Sequence, residues 1–215
     1  MLLHTILDMV FPARCLSCGS SGSYFCPKCL SSCRTAEREC AEWIFPVFDY
    51  RDPRIKKAVW ILKYKGRKKL GEVFAGVLYG RIIEELADLE RMENFTNPLL
   101  MPIPLSGRRL RERGFNQSTL LCEEIMKADL GEHLTSAKNI LEKIKETEHQ
   151  ARIKERGARL KNLSGSFRIK NAESVEGKNI ILVDDVTTTG ATLSEARKTL
   201  KLSGARKVIA FTIAH

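Results

Sequence analysis

No stretch of this chain is apolar for long enough to cross a bilayer. The longest apolar runs, such as Lys207-Val-Ile-Ala-Phe-Thr-Ile-Ala214, fall far short of the roughly 20 residues a spanning helix needs. Met1 to Phe11 is apolar but has no basic n-region and carries Asp8, so it reads as a short amphipathic helix and not as a signal peptide. No internal repeat and no low-complexity segment occurs, which argues against arrays and linker-like tails. Acids are the minority among the charges: 26 Asp and Glu face 36 Lys and Arg, for a formal net charge of +10. Such a balance speaks of partners and steering, not of fold. It favours anionic partners: nucleic acid, a phosphorylated metabolite or an acidic protein. The expected compartment is the cytoplasm, where thiols stay reduced.

What is present is enough for one core domain with a small appendage: 215 residues, 43% of them apolar. Seven cysteines occur, and six lie between Cys15 and Cys40. Two pairs stand out, Cys15-Leu-Ser-Cys18 and Cys26-Pro-Lys-Cys29. Two Cys-x-x-Cys knuckles close together can place four thiolates at the corners of a tetrahedron, the geometry of closed structural zinc sites. Gly19 and Gly22 permit the tight turns around such a knuckle. A segment of about 40 residues does not fold alone without a metal, a disulfide or a partner. Disulfides are the alternative, and an odd count with no signal peptide argues against them. Cys33 and Cys40 are spare and could each replace a ligand, whereas Cys122 reads as a small apolar residue on a later helix. Four closed thiolates suggest a clamp, not catalysis.

Past the cysteines, Ala41 to Tyr50 is a plausible strand or linker, and Pro53 to Tyr64 reads as a helix with Asp52 as N-cap and Pro53 at its first position. A longer amphipathic helix follows from Leu70 to about Arg91, then a strand over Asn97 to Pro104 and a helix from Phe115 to Lys127. The stretch from about Asp129 to Arg168 is polar and weakly periodic. The closing unit is regular: strand 179–183, loop, helix about 191–203 ending at Gly204, strand about 207–213. Its strands are continuously apolar, as parallel strands covered on both faces are.

The most telling segment is Asn179-Ile-Ile-Leu-Val-Asp184-Asp185-Val-Thr-Thr-Thr-Gly190-Ala-Thr192. A buried strand there delivers two adjacent carboxylates to a sheet edge. Two like charges need a cation or hydrogen-bond donors, and ribose hydroxyls with a magnesium ion supply both. Thr187, Thr188, Thr189, Gly190, Ala191 and Thr192 offer successive N–H groups and hydroxyls at a helix N-terminus, which suits a monophosphate. An ordinary strand-to-helix turn would explain either acid alone, but not the whole run.

Ile180 to Thr192 resembles the signature of the type I phosphoribosyltransferases. The resemblance implies that Asp184 and Asp185 hold the ribose 2′ and 3′ hydroxyls of phosphoribosyl pyrophosphate. It implies that Thr188 to Thr192 wrap the 5-phosphate. More widely, the chain resembles the ComF family, competence-associated proteins that join a zinc finger to a phosphoribosyltransferase-like domain. The similarity runs through the double Cys-x-x-Cys, Ile61-Leu-Lys63-Tyr64-Lys-Gly66, Pro102-Ile-Pro104 and Arg113-Gly114-Phe115-Asn116-Gln117. It continues through Gln150, Ile153, Arg159, Asn162, Gly165 and Phe167 to the acidic-threonine loop. On that resemblance the fold expected is α/β: a parallel sheet with flanking helices over 46–215, a zinc-binding segment over 1–45, and a hood-like insertion at about 129–168. Within the hood, Gln150, Arg152, Arg156, Arg159 and Asn162 would face substrate or nucleic acid.

Lys63 and Lys65 flank Tyr64 beside a glycine, suited to phosphate or a base, or else simply a solvated helix end. Pro104-Leu-Ser-Gly-Arg-Arg109 follows a strand and resembles the family's pyrophosphate loop in position, which implies Arg109 and Arg113 as candidate contacts. Arg108, Arg109, Arg111 and Arg113 form a basic cluster, and Tyr50, Trp60, Tyr64 and Phe115 are interleaved with basic residues, the pattern of single-stranded nucleic-acid binding. Trp60 is expected to pack in the core. Two functions follow. One is an enzyme transferring phosphoribose, with magnesium bridging diphosphate and sugar; the other is a non-catalytic binder of nucleotide or single-stranded DNA in uptake, its zinc finger docking a helicase-like partner. Whether catalysis occurs is left open.

Overall fold

A computed structural model describes residues 13–37, 40–66, 68–146 and 164–215. The expectations placed on Met1 to Phe11 and on Gln150, Arg152, Ile153, Arg156, Arg159 and Asn162 lie outside the described residues. The described elements in chain order begin with α1 (Pro27–Ser31), β1 (Ile44–Phe48), α2 (Pro53–Tyr64), α3 (Lys69–Glu93) and β2 (Leu99–Pro102). Then come α4 (Gly107–Arg113), α5 (Gln117–Ala128), β3 (Thr135–Ser136), β4 (Leu141–Lys143) and β5 (Phe167–Ile169). β6 (Asn179–Val186), α6 (Ala191–Leu202) and β7 (Lys207–Ala214) close the chain.

Five strands form one parallel sheet in the order β1-β7-β6-β2-β3, and β4 and β5 form a separate antiparallel pair. This is the type I phosphoribosyltransferase-like fold with its parallel sheet and flanking helices. β6 sits at the centre, and its side chains alternate between two cores. Ile181 and Val183 join the core under α2, α3 and α5, whereas Ile180 and Leu182 join the core under α6. β7 repeats the alternation, with Ile209, Phe211 and Ile213 on the first side and Val208 and Ala210 on the second. Ile180 through Val183 are each fully buried. Each such side chain contributes up to about 1.5–3 kcal/mol by removal from water. A charge placed at Leu182 would find no water on either face and would cost several kcal/mol.

The helix boundaries follow from their caps. Asp52 Oδ1 accepts from the Arg54 N–H at 2.9 Å with Pro53 in the first turn, so α2 starts where the sequence indicates. Asn116 Oδ1 accepts from the Ser118 N–H at 3.1 Å and starts α5. α6 stops at Gly204, whose φ of +87° takes the chain out of the helix as no branched residue could.

One expectation is corrected. Trp60 is not in the core: it is 48% exposed. The buried stripe of α2 is Ile55, Ala58, Val59 and Leu62, and Trp60 falls on the opposite side of the helix. The connection after β2 is short, as a tight turn with nearby arginines requires. The turn is confined to Pro104–Ser106, and Arg108 to Arg113 ride on the two-turn helix α4.

The cysteine segment is not an isolated appendage. Cys15, Phe25 and Cys33 belong to the same core as α2 and α3. Buried Asp52 ties the two together: its carboxylate accepts from the Arg34 N–H at 3.2 Å and from Arg54 Nη2 at 2.6 Å, while Arg54 Nη1 donates to Ser32 Oγ at 2.8 Å.

Candidate functional site

Connections leave the centre of the sheet in opposite directions. The chain after β6 passes through α6 to β7 on one side, and the chain after β2 passes through α4 and α5 to β3 on the other. The crevice beyond the ends of β6 and β2 is therefore the topological switch point, where open α/β sheets bind ligands. A cavity of about 320 Å³ lies there. Its acidic floor is Asp184 and Asp185 at the end of β6. Lys63 and Tyr64 from α2, Arg109 and Arg113 from α4, Lys143 from β4, Thr188 from the loop and Thr192 from the first turn of α6 surround it.

The two acids are held differently. Asp184 Oδ1 accepts from Ser118 Oγ at 3.0 Å and from the Asp185 N–H at 2.8 Å. Burial, and the adjacent Asp185 charge after it, push the Asp184 carboxyl up to about 7. Asp185 Oδ1 accepts from the Val186 N–H at 2.6 Å and forms an ion pair with Lys63 Nζ at 2.9 Å. Burial disfavours the Lys63 ammonium, but Asp185 and then Asp184 outweigh it, and its affinity for the proton rises. So Lys63, read from sequence as a phosphate contact or a solvated helix end, is turned inward onto an acid.

The opposite wall is crowded with positive charge. Burial, then Arg113 and Arg108, lower the Arg109 guanidinium, and burial, then Arg109, lower Lys143 to about 8. Arg113 donates from Nη1 to Gln117 Oε1 at 2.9 Å and lies 5.3 Å from the centre of the Tyr64 ring. An anion arriving here would relieve like-charge repulsion.

The threonine loop divides. Gly190 caps α6 with φ +71°, and a Cβ there would meet Ile44 Cδ1 at 3.2 Å, so a larger residue is strained on both counts. Thr188 and Thr192 line the main cavity. Thr189 and Gly190 face a smaller hollow with Cys40, Ile44 and His215. Ala191 is buried at the start of α6. Thr187 is buried, and its N–H is already given to the Ala214 carbonyl at 3.0 Å. Sequence reasoning missed two residues of the site. Ser118 carries only a weak signal, a small hydroxyl at the second position of a capped helix. Lys143 carries none, because it comes from the weakly patterned polar stretch.

The second constellation is the cysteine cluster. Sulfurs of Cys15, Cys18, Cys26 and Cys29 all lie within 4.8 Å of one another. Tetrahedral ligation with metal–sulfur bonds of about 2.3 Å needs sulfurs about 3.8 Å apart. Cys18 Sγ and Cys26 Sγ are 3.8 Å apart. The Cys26 N–H donates to Cys15 Sγ at 3.4 Å, a contact that favours the thiolate a metal requires. Four cysteines so arranged fit a zinc ion. Cys33 stands apart, buried, with its thiol donating to the Cys29 carbonyl at 3.3 Å, and Cys122 is fully buried on α5, as its apolar reading expects.

Comparison with known proteins gives the family. The chain is 30% identical over 200 residues to the DNA utilization protein YhgH of Salmonella typhimurium, covering 90% of this chain and 80% of the relative. It is 29% identical over 212 residues to the competence protein ComFC of Streptococcus pneumoniae, covering 93% and 86%. This chain belongs to the ComF family. A family profile described as the phosphoribosyl transferase domain matches residues 131–215, which include the acidic-threonine loop of this ComF chain. Among solved structures, an HGPRT-ase from Leishmania tarentolae in complex with GMP covers 68% of this chain and 66% of its own at 14% identity and a TM-score of 0.38, too distant to add to the argument. Among the described residues no helix is long and apolar enough to cross a membrane.

Proposed function

We propose that this ComF-family chain binds phosphoribosyl pyrophosphate or a related ribose phosphate at the end of β6 and β2, and serves DNA uptake. The observation that carries the reading is the pairing of an acidic floor with a basic wall in one cavity at the switch point. Asp184 and Asp185 suit the ribose hydroxyls, and Thr188 to Thr192 suit the 5-phosphate at the α6 N-terminus. Arg109, Arg113 and Lys143 suit the diphosphate. Four cations against two acids leave the cavity net positive, as a polyanionic ligand requires. Magnesium would arrive with the diphosphate. The knuckle, within residues 1–45, would hold zinc as a clamp on the phosphoribosyltransferase-like part that follows. In a transferase reaction, positioning and charge neutralisation at the sugar would supply the catalysis, and no side-chain nucleophile is needed.

Binding to single-stranded DNA is a second reading that one observation favours. Trp60 and Tyr64 are both about half exposed, with ring centres 5.8 Å apart, and Lys65 Nζ lies 5.5 Å from the Trp60 ring. Exposed aromatics among cations are a stacking platform for bases. The names of the relatives, DNA utilization protein YhgH and competence protein ComFC, point the same way, toward DNA handling; a helicase-like uptake partner and a cytoplasmic location belong to the same proposal. Calorimetry with phosphoribosyl pyrophosphate and magnesium tests the first reading. Pyrophosphate release with candidate bases then separates a transferase from a binder, and a salt titration of DNA affinity tests the second.

A further inference from the structure

We infer that Lys63 is a built-in counter-cation for the aspartate pair, so that a ribose 5-phosphate monoester binds without any divalent ion and magnesium serves only the diphosphate. This deepens the ribose-phosphate reading of the same cavity and rests on it. Asp184 and Asp185 are neighbours in sequence near the end of one strand, and the loop that follows, Thr187 to Gly190, contains no Lys or Arg. Left alone, the pair would need a bound cation or a proton. Lys63 Nζ supplies a fixed charge 2.9 Å from Asp185 Oδ1.

The lysine is not a loose surface arm. Its side chain is only 19% exposed, and it stands on the last turn of α2 beside fully buried Leu62. Its carbonyl accepts from Gln117 Nε2 at 3.4 Å. The far end of α2 is pinned by buried Asp52, which also grips the cysteine segment through the Arg34 N–H. An ammonium positioned this way acts in a partly dry site, where its field on the acids is stronger than in water. The diol of a ribose would then donate to carboxylates already neutralised in part, with no ion to recruit.

The test is calorimetry on the full, zinc-loaded chain with ribose 5-phosphate and with phosphoribosyl pyrophosphate. Each is titrated with and without millimolar magnesium, and no chelator is used, since one would strip the zinc. Ribose 5-phosphate is expected to bind equally well in both buffers. Lys63→Met should weaken it at least about tenfold without magnesium, and magnesium should restore much of the loss. Lys63→Arg should behave as the native chain. A purely structural ion pair would lower the melting temperature of Lys63→Met but leave the magnesium dependence flat, and that overturns the inference. So does native binding of ribose 5-phosphate that needs magnesium, or binding of the pyrophosphate ester alone; both leave the ribose-phosphate reading standing. Failure of both sugars in every buffer removes that reading and the inference with it. Should Lys63→Met not fold, the native chain and Lys63→Arg still decide, because a magnesium requirement in either contradicts the assignment.

Discussion

The cysteine knuckle and the sheet-end cavity solve opposite problems. The knuckle draws its four sulfurs from 15 consecutive residues, Cys15 to Cys29, and closes them on one another. The cavity draws its charges from α2, α4, β4 and β6, and leaves a positive surplus open to solvent. A closed donor set stabilises a fold, whereas an open, unbalanced one waits for a ligand. That difference predicts that the two regions fail separately.

The largest effect belongs to the metal. Cys15→Ser, or zinc removal, should unfold the knuckle and expose the Phe25 and Cys33 part of the core, because ligation of this kind is folding free energy of the order of 10 kcal/mol. Loss of one zinc per chain together with a fall of many degrees in Tm checks it. Retained zinc, or an unchanged Tm without it, breaks the contrast.

Next, Asp185→Ala should lower affinity for phosphoribosyl pyrophosphate by about 100-fold or more, since it removes a hydroxyl acceptor and strands the Lys63 charge. Zinc content should stay unchanged. Loss of both would mean that the two regions are one unit.

Smaller is the effect at the rim. Trp60→Ala should weaken single-stranded DNA about tenfold, within the 1–3 kcal/mol typical of base stacking, and leave sugar-phosphate binding as it was. Filter binding at fixed salt, beside calorimetry, separates the two.

The smallest is a gain. Burial and Asp185 raise the Asp184 carboxyl from the ordinary 3.8 to about 7, so the folded chain holds a proton that the unfolded chain has lost. That contribution is fully present below pH 4 and is lost as pH rises through 7. Asp184→Asn keeps the acceptor for Ser118 without the charge. It should match the native Tm near pH 4 and exceed it by a few degrees at pH 8, as thermal melts at the two pH values would show. An increase at pH 4 but not at pH 8 would contradict the sign.

The same contrast explains what could be read in advance. Contiguous chemistry was legible: the Cys-x-x-Cys spacing, the Asp184-Asp185 strand end, and the caps at Asp52 and Asn116 all depend on near neighbours. The central strand was legible because β6 is apolar on both faces. Chemistry assembled across the fold was not. Ser118 meets Asp184 across 66 positions, and Lys143 reaches the cavity on a short strand with almost no apolar pattern. Trp60 misled because hydrophobicity alone says inside, while helix phase places it outside. Lys63 was found as a charge near the site, but its partner could be seen only once α2 lay against the end of β6.

One measurement tests the central claim most directly: a crystal of the zinc-loaded chain soaked with phosphoribosyl pyrophosphate and magnesium. The account predicts the ribose hydroxyls on Asp184 and Asp185, the 5-phosphate against the backbone of Thr188 to Thr192, and the diphosphate toward Arg109 and Lys143. A ligand bound elsewhere, or a sheet end that stays empty at saturating concentration, would contradict it.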